Sequence, residues 1–273
     1  MKTKSLRLGL IGKDVSKSTS KQIHTFILSQ FGVDCQYESL SVSPAEFDGV
    51  MRSLLGDFDA FNVTIPYKRD VFEYLDEIVE DAFACGAVNT VLCGTRTGYN
   101  TDGKGFLLML ETSGISVQGK KVLVLGLGGS GRSSAVALKN AGAEVYAYRR
   151  NEQELAEACL QLGILPAKEI EKGGFDIVVN CTGVGMHDTE GKSPVGAAAF
   201  NGAKWAVDLI YTPERSAFLQ LAETQGIKTL NGAAMLFYQA YYADCLFLQK
   251  TPCVAEAKTL YARYLAQTAT NKE

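Results

Sequence analysis

Between positions 121 and 150 a short apolar run, a cluster of glycines, a helix-forming run and a second apolar run follow one another. Residues 122–125, Val-Leu-Val-Leu, read as a buried parallel strand. Gly126, Leu127, Gly128, Gly129, Ser130 and Gly131 then spell G-x-G-x-x-G. Residues 133–140 carry good helix formers, Gly142 stands where a helix C-terminal glycine belongs, and 145–148 reads as the next strand. A strand–helix–strand unit of about 30 residues is the context in which this glycine pattern holds a dinucleotide. The physical reason is close approach. A side chain at Gly128 would keep a pyrophosphate off the N–H groups of the helix N-terminus, where the helix dipole also favours an anion. Gly131 lets helix and strand pack closely.

The end of the second strand bears on which dinucleotide. An acid about 20 residues after the first glycine would bond the ribose 2′-OH of NAD. Here the place holds Tyr148-Arg149-Arg150. Two guanidiniums suit a 2′-phosphate and offer a hydroxyl no acceptor, so the expected cofactor is NADP. A solvated strand end is the plainer reading of the same two arginines.

The rest of the chain extends the alternation. At 273 residues there is room for one large or two modest domains. With 47% hydrophobic and 21% charged residues the composition is that of a soluble globular protein. A net charge of −3 leaves no electrostatic footprint for nucleic acid or an anionic membrane, and no apolar run approaches the ~20 residues of a membrane span. The N-terminal Met1-Lys-Thr-Lys-Ser-Leu-Arg7 is followed by only a short apolar run, at 8–11, which speaks against a signal peptide. Seven scattered cysteines without a C-x-x-C read as reduced core residues of a cytoplasmic protein. His24 and His187 are the two histidines, and neither lies near a cysteine pair, so no metal site is expected.

Before the glycine loop, strands are expected over 6–11, 34–42, 58–64 and 86–93. Helices are expected after Ser20, over 44–55, from Pro66 to about Cys85 and over 106–112. Residues 94–98 read as a turn and 113–119 as an interdomain segment. Thr64 and Lys68 therefore fall where a strand ends and a helix begins, the place where α/β sheets bind ligands. Ser18 and Ser20 are either helix caps or, as two hydroxyls on alternate loop residues, a grip for a polyol; composition favours caps. After the loop, strands are expected over 175–180, 205–210 and 227–230, with helices over 216–224, 233–248 and 253–266 and fraying from 268. The aromatic stripe of 233–248 reads as core or lobe interface. The fold class is α/β in two lobes, an N-terminal α/β substrate domain and a Rossmann-type doubly wound dinucleotide domain, with a cleft between them.

These segments, in this order, resemble the shikimate dehydrogenase family over nearly the whole chain. Ser18-Thr-Ser20 followed by His24 resembles its S-x-S-P-x-x-H segment, and Asn62-Val-Thr-Ile-Pro-Tyr-Lys68 fits N-V-T-x-P-x-K. Gly86-Ala-Val-Asn89-Thr fits G-A-V-N-T and Asn100-Thr-Asp102-Gly fits N-T-D-G. Asn180-Cys-Thr182 with Gly185-Met186, Asp208-Leu-Ile-Tyr211, and Asn231 to Gln239 resemble its later motifs. The resemblance implies reversible NADP-dependent reduction of 3-dehydroshikimate to shikimate by a monomer or homodimer that needs no nucleic-acid or membrane partner. It implies a catalytic pair, Lys68 and Asp102. Ser18, Ser20, Thr64, Asn89, Tyr211 and Gln239 would hold the substrate, and Gly126 to Gly131, Arg149, Arg150, Thr182, Leu209 and Gly232 would line the cofactor. Domain bounds of 1–103 with about 236–273, and 104–235, follow from it, the last two helices packing back on the first lobe. Lys17 stands where the family often has His, Lys21 and Asp14 replace prolines, and Tyr148-Arg149-Arg150 replaces N-R-T.

The chemistry agrees with that assignment. Ketone reduction develops negative charge on oxygen, which a nearby ammonium stabilises and protonates. No Tyr has a Lys four residues later, so the Y-x-x-x-K pair is absent, and Lys68 with Asp102 is the best candidate. A structural ion pair is the plainer reading of those two. The neighbouring functions are a quinate/shikimate dehydrogenase using NAD and a non-catalytic NADP-binding regulator.

Overall fold

The computed structural model describes residues 5–270. Internal contacts group the chain into two units, Met1–Gly105 with Leu236–Glu273, and Phe106–Met235. The first begins with β1 (Ser5–Gly12), α1 (Ser20–Gln30), β2 (Asp34–Ser41), α2 (Phe47–Asp57) and β3 (Ala60–Val63). It continues with β4 (Glu77–Ile78), α3 (Glu80–Cys85), β5 (Thr90–Leu92), β6 (Thr97–Tyr99) and the start of α4 (Asp102–Thr112). Its sheet runs β2-β1-β3-β5-β6-β4. β1 pairs parallel with both β2 and β3, and β5 turns antiparallel to β3 and β6. Phe47, Met51 and Leu54 of α2 are buried against Ile11, Phe61 and Val63. Fully burying side chains of this kind contributes about 1.5–3 kcal/mol each.

The second unit holds β7 (Lys121–Leu125), α5 (Gly129–Asn140), β8 (Glu144–Tyr148), α6 (Glu152–Leu162), β9 (Leu165–Pro166), β10 (Ile177–Asn180), β11 (Trp205–Asp208), α7 (Ala217–Thr224) and β12 (Lys228–Leu230). Every pairing in its sheet is parallel, in the order β12-β11-β10-β7-β8-β9. The chain therefore starts at the centre, fills one side, returns and fills the other, which is the doubly wound pattern. Its switch point lies between β7 and β10, where such sheets hold ligands outside the strand carboxyl ends. Val122 to Leu125 are buried throughout, as a strand covered on both faces requires.

The chain then returns to the first unit with α8 (Ala233–Phe247) and α9 (Val254–Thr270). The aromatic stripe of α8 is core: Phe237, Tyr238 and Tyr241 are buried, with Phe237 against Phe26, Tyr261 and Tyr264.

Several expected elements differ. The helix read from Pro66 to Cys85 is broken into a 3-10 turn at Asp70–Tyr74, the strand β4 and the short α3. Glu77 and Ile78 pair with Thr97 and Gly98, and that long-range pairing outweighs local helical spacing. The strand read over 86–93 begins only at Thr90, because Gly86 closes α3 in the left-handed region at φ 64. The turn read over 94–98 contains the start of β6, which is too short to show an alternation. α4 begins at Asp102, four residues early, and runs across the unit boundary, so the 113–119 segment lies inside the second unit. α9 continues to Thr270 where fraying was expected from 268; residues 1–4 and 271–273 lie outside the described residues.

Candidate active site

β3 ends at Val63, and the chain turns through Thr64 to Lys68, with Tyr67 N–H donating to Thr64 O at 3.0 Å. Val88 N–H donates to the Lys68 carbonyl at 2.8 Å, which ties this turn to the segment entering β5. Lys68 Nζ lies 2.5 Å from Asp102 Oδ2, and both residues are buried, at 7% and 5% exposure. Asp102 stands at the N-terminus of α4, its own N–H taken by Asn100 Oδ1 at 3.0 Å. A carboxylate at a helix N-terminus is favoured by the dipole.

Asn89 braces the pair. Its Nδ2 donates to Asp102 Oδ1 at 2.7 Å, to Thr101 Oγ1 at 2.9 Å and to Gln239 Oε1 at 3.3 Å. Gln239 sits on α8, packed so closely on Gly105 that a β-carbon there would lie 2.6 Å from Gln239 N. Four residues separated by up to 171 positions are thus joined by direct hydrogen bonds in one unit: Lys68, Asn89, Asp102 and Gln239. Thr101 belongs to the same cluster, donating from its backbone N–H to Asn89 Oδ1 at 2.9 Å. Thr101 stands in the N-T-D-G motif but is not among the residues expected to bind or react.

Ser18 and Ser20 bond each other, Oγ to Oγ at 3.0 Å. The expected capping is only partly present. Thr19 occupies the N-cap of α1 without a side-chain cap bond, and Ser18 Oγ takes the N–H of Ser20 at 3.2 Å. Thr64 is half-buried on the turn before Lys68, and Lys17 and Lys21 are exposed. His24 is a core residue, its Nδ1 2.6 Å from Asp244 Oδ1 and its ring stacked on Tyr37 at 4.9 Å. His187 is exposed in a 3-10 turn, solvated as expected.

The second unit carries the glycine loop. Gly126 has φ +86, and a β-carbon there would meet Thr182 Cγ2 at 2.7 Å. A β-carbon on Gly131 would lie 2.1 Å from Gly126 O, a contact with backbone that cannot swing aside. Gly128 is the N-cap of α5 and has nothing within 4 Å of where its β-carbon would be. Leu127 is buried beneath the loop, and Gly129 and Ser130 open the helix. α5 has neither a side-chain cap nor an acid in its first turn. An open glycine, an uncapped helix N-terminus and no negative charge fit a pyrophosphate.

Thr182 follows the carboxyl end of β10, its hydroxyl bonded to Asn180 Oδ1 at 2.6 Å. A β-carbon on Gly232 would lie 2.2 Å from Leu209 O, so the glycine is required by contact with Leu209. Tyr211, in the loop after β11, is 38% exposed and belongs to the second unit. Behind these, Asp208 is fully buried, accepting from Ser216 Oγ at 2.5 Å, Asn180 Nδ2 at 3.0 Å and Ile210 N–H at 3.0 Å. Burial raises its carboxyl pKa against the pull of those donors. Arg149 is ion-paired with Glu154, while Arg150 is exposed and has no ion pair among the described residues.

Comparison with known proteins agrees with both halves of this arrangement. Residues 10–91 match the family model of the shikimate dehydrogenase substrate binding domain. The chain is 38% identical over 245 residues to the shikimate dehydrogenase (NADP(+)) of Shouchella clausii, covering 85% of this chain and 89% of that one. It is 37% identical over 255 residues to that of Caldicellulosiruptor bescii, covering 88% of each. Its structure superposes with a TM-score of 0.85 on the shikimate 5-dehydrogenase of Thermus thermophilus solved in complex with NADP(H) and shikimate, at 32% identity over 94% of this chain and 99% of that one. A buried Lys68–Asp102 pair in one unit, a dinucleotide fingerprint on a doubly wound sheet in the other, and identity of this extent mean that the chain belongs to the shikimate dehydrogenase family.

Proposed function

We propose that the chain is an oxidoreductase that catalyses the reversible, NADP-dependent reduction of 3-dehydroshikimate to shikimate. The observation that carries this reading is the buried Lys68–Asp102 pair, braced by Asn89, in a chain that also carries the glycine fingerprint. We read the first unit as substrate-binding and catalytic and the second as dinucleotide-binding.

Bound NADPH supplies the hydride. The protein handles charge and one proton. As the ketone is reduced, negative charge gathers on its oxygen, and the Lys68 ammonium stabilises it and delivers the proton from Nζ. In the oxidative direction Lys68 takes the alcohol proton. Asp102 Oδ2 keeps Nζ in place, and Asn89 holds Asp102 through Oδ1, so the carboxylate cannot rotate away. Ser18, Ser20, Thr64, Asn89, Tyr211 and Gln239 are assigned to the substrate's carboxylate and hydroxyls. A site built to bond hydroxyls rejects analogues that lack them. Gly126, Leu127, Gly128, Gly129, Ser130 and Gly131 are assigned to the pyrophosphate, and Thr182, Leu209 and Gly232 to the rest of the cofactor. Arg149 and Arg150 are assigned to the 2′-phosphate. The working form is a monomer or homodimer, which sedimentation distinguishes. Its seven cysteines, none of them in a disulfide, suit a reducing cytoplasm.

The test is reduction of NADP and of NAD by the purified protein, followed by nicotinamide absorbance, with shikimate and with quinate in turn. Turnover with shikimate and NADP is expected. Binding of NADP without turnover of either acid would refute the assignment.

A further inference from the structure

Asn89, which braces Asp102, is itself held from behind. Thr90 Oγ1 lies 2.9 Å from Asn89 Oδ1, and an amide oxygen only accepts, so Thr90 donates there. Asn62 Nδ2 donates to Thr90 Oγ1 and to the backbone oxygen of Asn89, each at 3.3 Å. That use of the amide turns Asn62 Oδ1 to Tyr37, whose hydroxyl donates to it at 2.9 Å. Tyr37 pairs with Leu8 and Asn62 with Leu10, so both side chains stand on one face of the sheet and the bond passes over β1.

All four side chains are buried. Every donor points the same way: Tyr37 to Asn62, Asn62 to Thr90, Thr90 to Asn89, Asn89 to Asp102. The chain ends on a carboxylate, which accepts. Reversing either amide would set acceptor against acceptor, and in a dry interior each bond polarises the next. Burial, with the Asp244 carboxyl nearby, pushes the Tyr37 phenol well above its usual value, so its hydroxyl remains a donor.

We propose that Tyr37, Asn62 and Thr90 are positioning residues for the reaction, locking the Asn89 amide with Nδ2 on Asp102 and so holding Lys68. This rests on the dehydrogenase reading and deepens it.

Thr90→Val keeps the shape of the side chain and removes its hydrogen bonds. With shikimate and NADP its kcat should fall about tenfold while KM for shikimate stays within about threefold, the split that loss of a geometry-setting bond predicts. Thr90→Ser should recover most of kcat. Tyr37→Phe, which keeps the ring stacked on His24, should lower kcat about threefold, again with little change in KM. Melting temperatures of all three confirm that the folded form is assayed, and if the Val variant does not fold the Phe variant decides. A kcat equal to wild type in the folded variants, a loss confined to KM, or a loss that serine does not recover would overturn the proposal. Absence of turnover by the unmutated protein would instead overturn the dehydrogenase reading on which it stands.

Discussion

Lys68 and Asp102 lie 34 positions apart, and the short loop around β5 and β6 brings them together. Both are charged and buried, so each needs the other: removing one partner of such a pair costs about 3–5 kcal/mol. Lys68→Ala should therefore lower thermal stability. Assayed below its melting point, it should also lose about 10²–10⁴ in kcat with a much smaller rise in KM, as loss of a proton donor predicts. A large KM effect with kcat intact would make Lys68 a binding residue. The residue types and motif spacing made this pair legible in the sequence. Their burial, and the roles of Thr101 and of the Asn62–Thr90 bonds behind Asn89, were not, because which side chains meet depends on strands pairing across distant positions.

At the scale of elements, two glycines of one loop serve different ends. Apart from its chain neighbours, no protein atom lies within 4 Å of a β-carbon placed on Gly128, whereas one on Gly131 collides with backbone. Gly128→Ala should leave the melting temperature close to wild type and weaken NADP binding at least about tenfold, since the methyl group occupies space meant for the pyrophosphate. Gly131→Ala should lower both. Fluorescence titration with NADP beside a thermal melt separates the two, and equal losses of stability would refute the distinction. At α6, Asn151 Oδ1 caps the Glu154 N–H at 3.1 Å, and Asn151→Ala should cost about 1 kcal/mol in denaturant unfolding. Long periodic elements such as α2 and β7 showed in the sequence. β5 showed only as the end of a longer expected strand, and the three-residue β6 and two-residue β4 did not show, since strands this short acquire their state from their neighbours.

For the whole molecule, the buried His24–Asp244 contact joins α1 to α8 and so ties the C-terminal segment into the first unit. Burial raises the Asp244 carboxyl from 3.8 to about 6, against the pull of His24. Tyr37 and Cys35 on β2 and Cys245 on α8 also face it. The folded chain then binds this proton more tightly than the unfolded chain does. Its contribution to stability is greatest below pH 3.8, falls as pH rises towards about 6, and is constant above that. Asp244→Asn keeps a partner for His24 and removes the ionisation. Its unfolding free energy should lack the decline between about pH 4 and pH 6 that wild type shows. Parallel slopes in urea titrations across that range would sink this account.

The sequence by itself determined the α/β class, the dinucleotide fingerprint with its arginines, and, through their motifs, Lys68, Asn89, Asp102 and Gln239, which direct hydrogen bonds join. Those depend on local pattern and residue type, which the chain carries along its length. Only the tertiary structure decided that 66–85 is not one helix, that His24 is core, that Arg149 is paired with Glu154, and that one line of hydrogen bonds runs from Tyr37 to Asp102. Each of these is set by burial and by contacts between distant strands, and such contacts exist only once the sheets have formed.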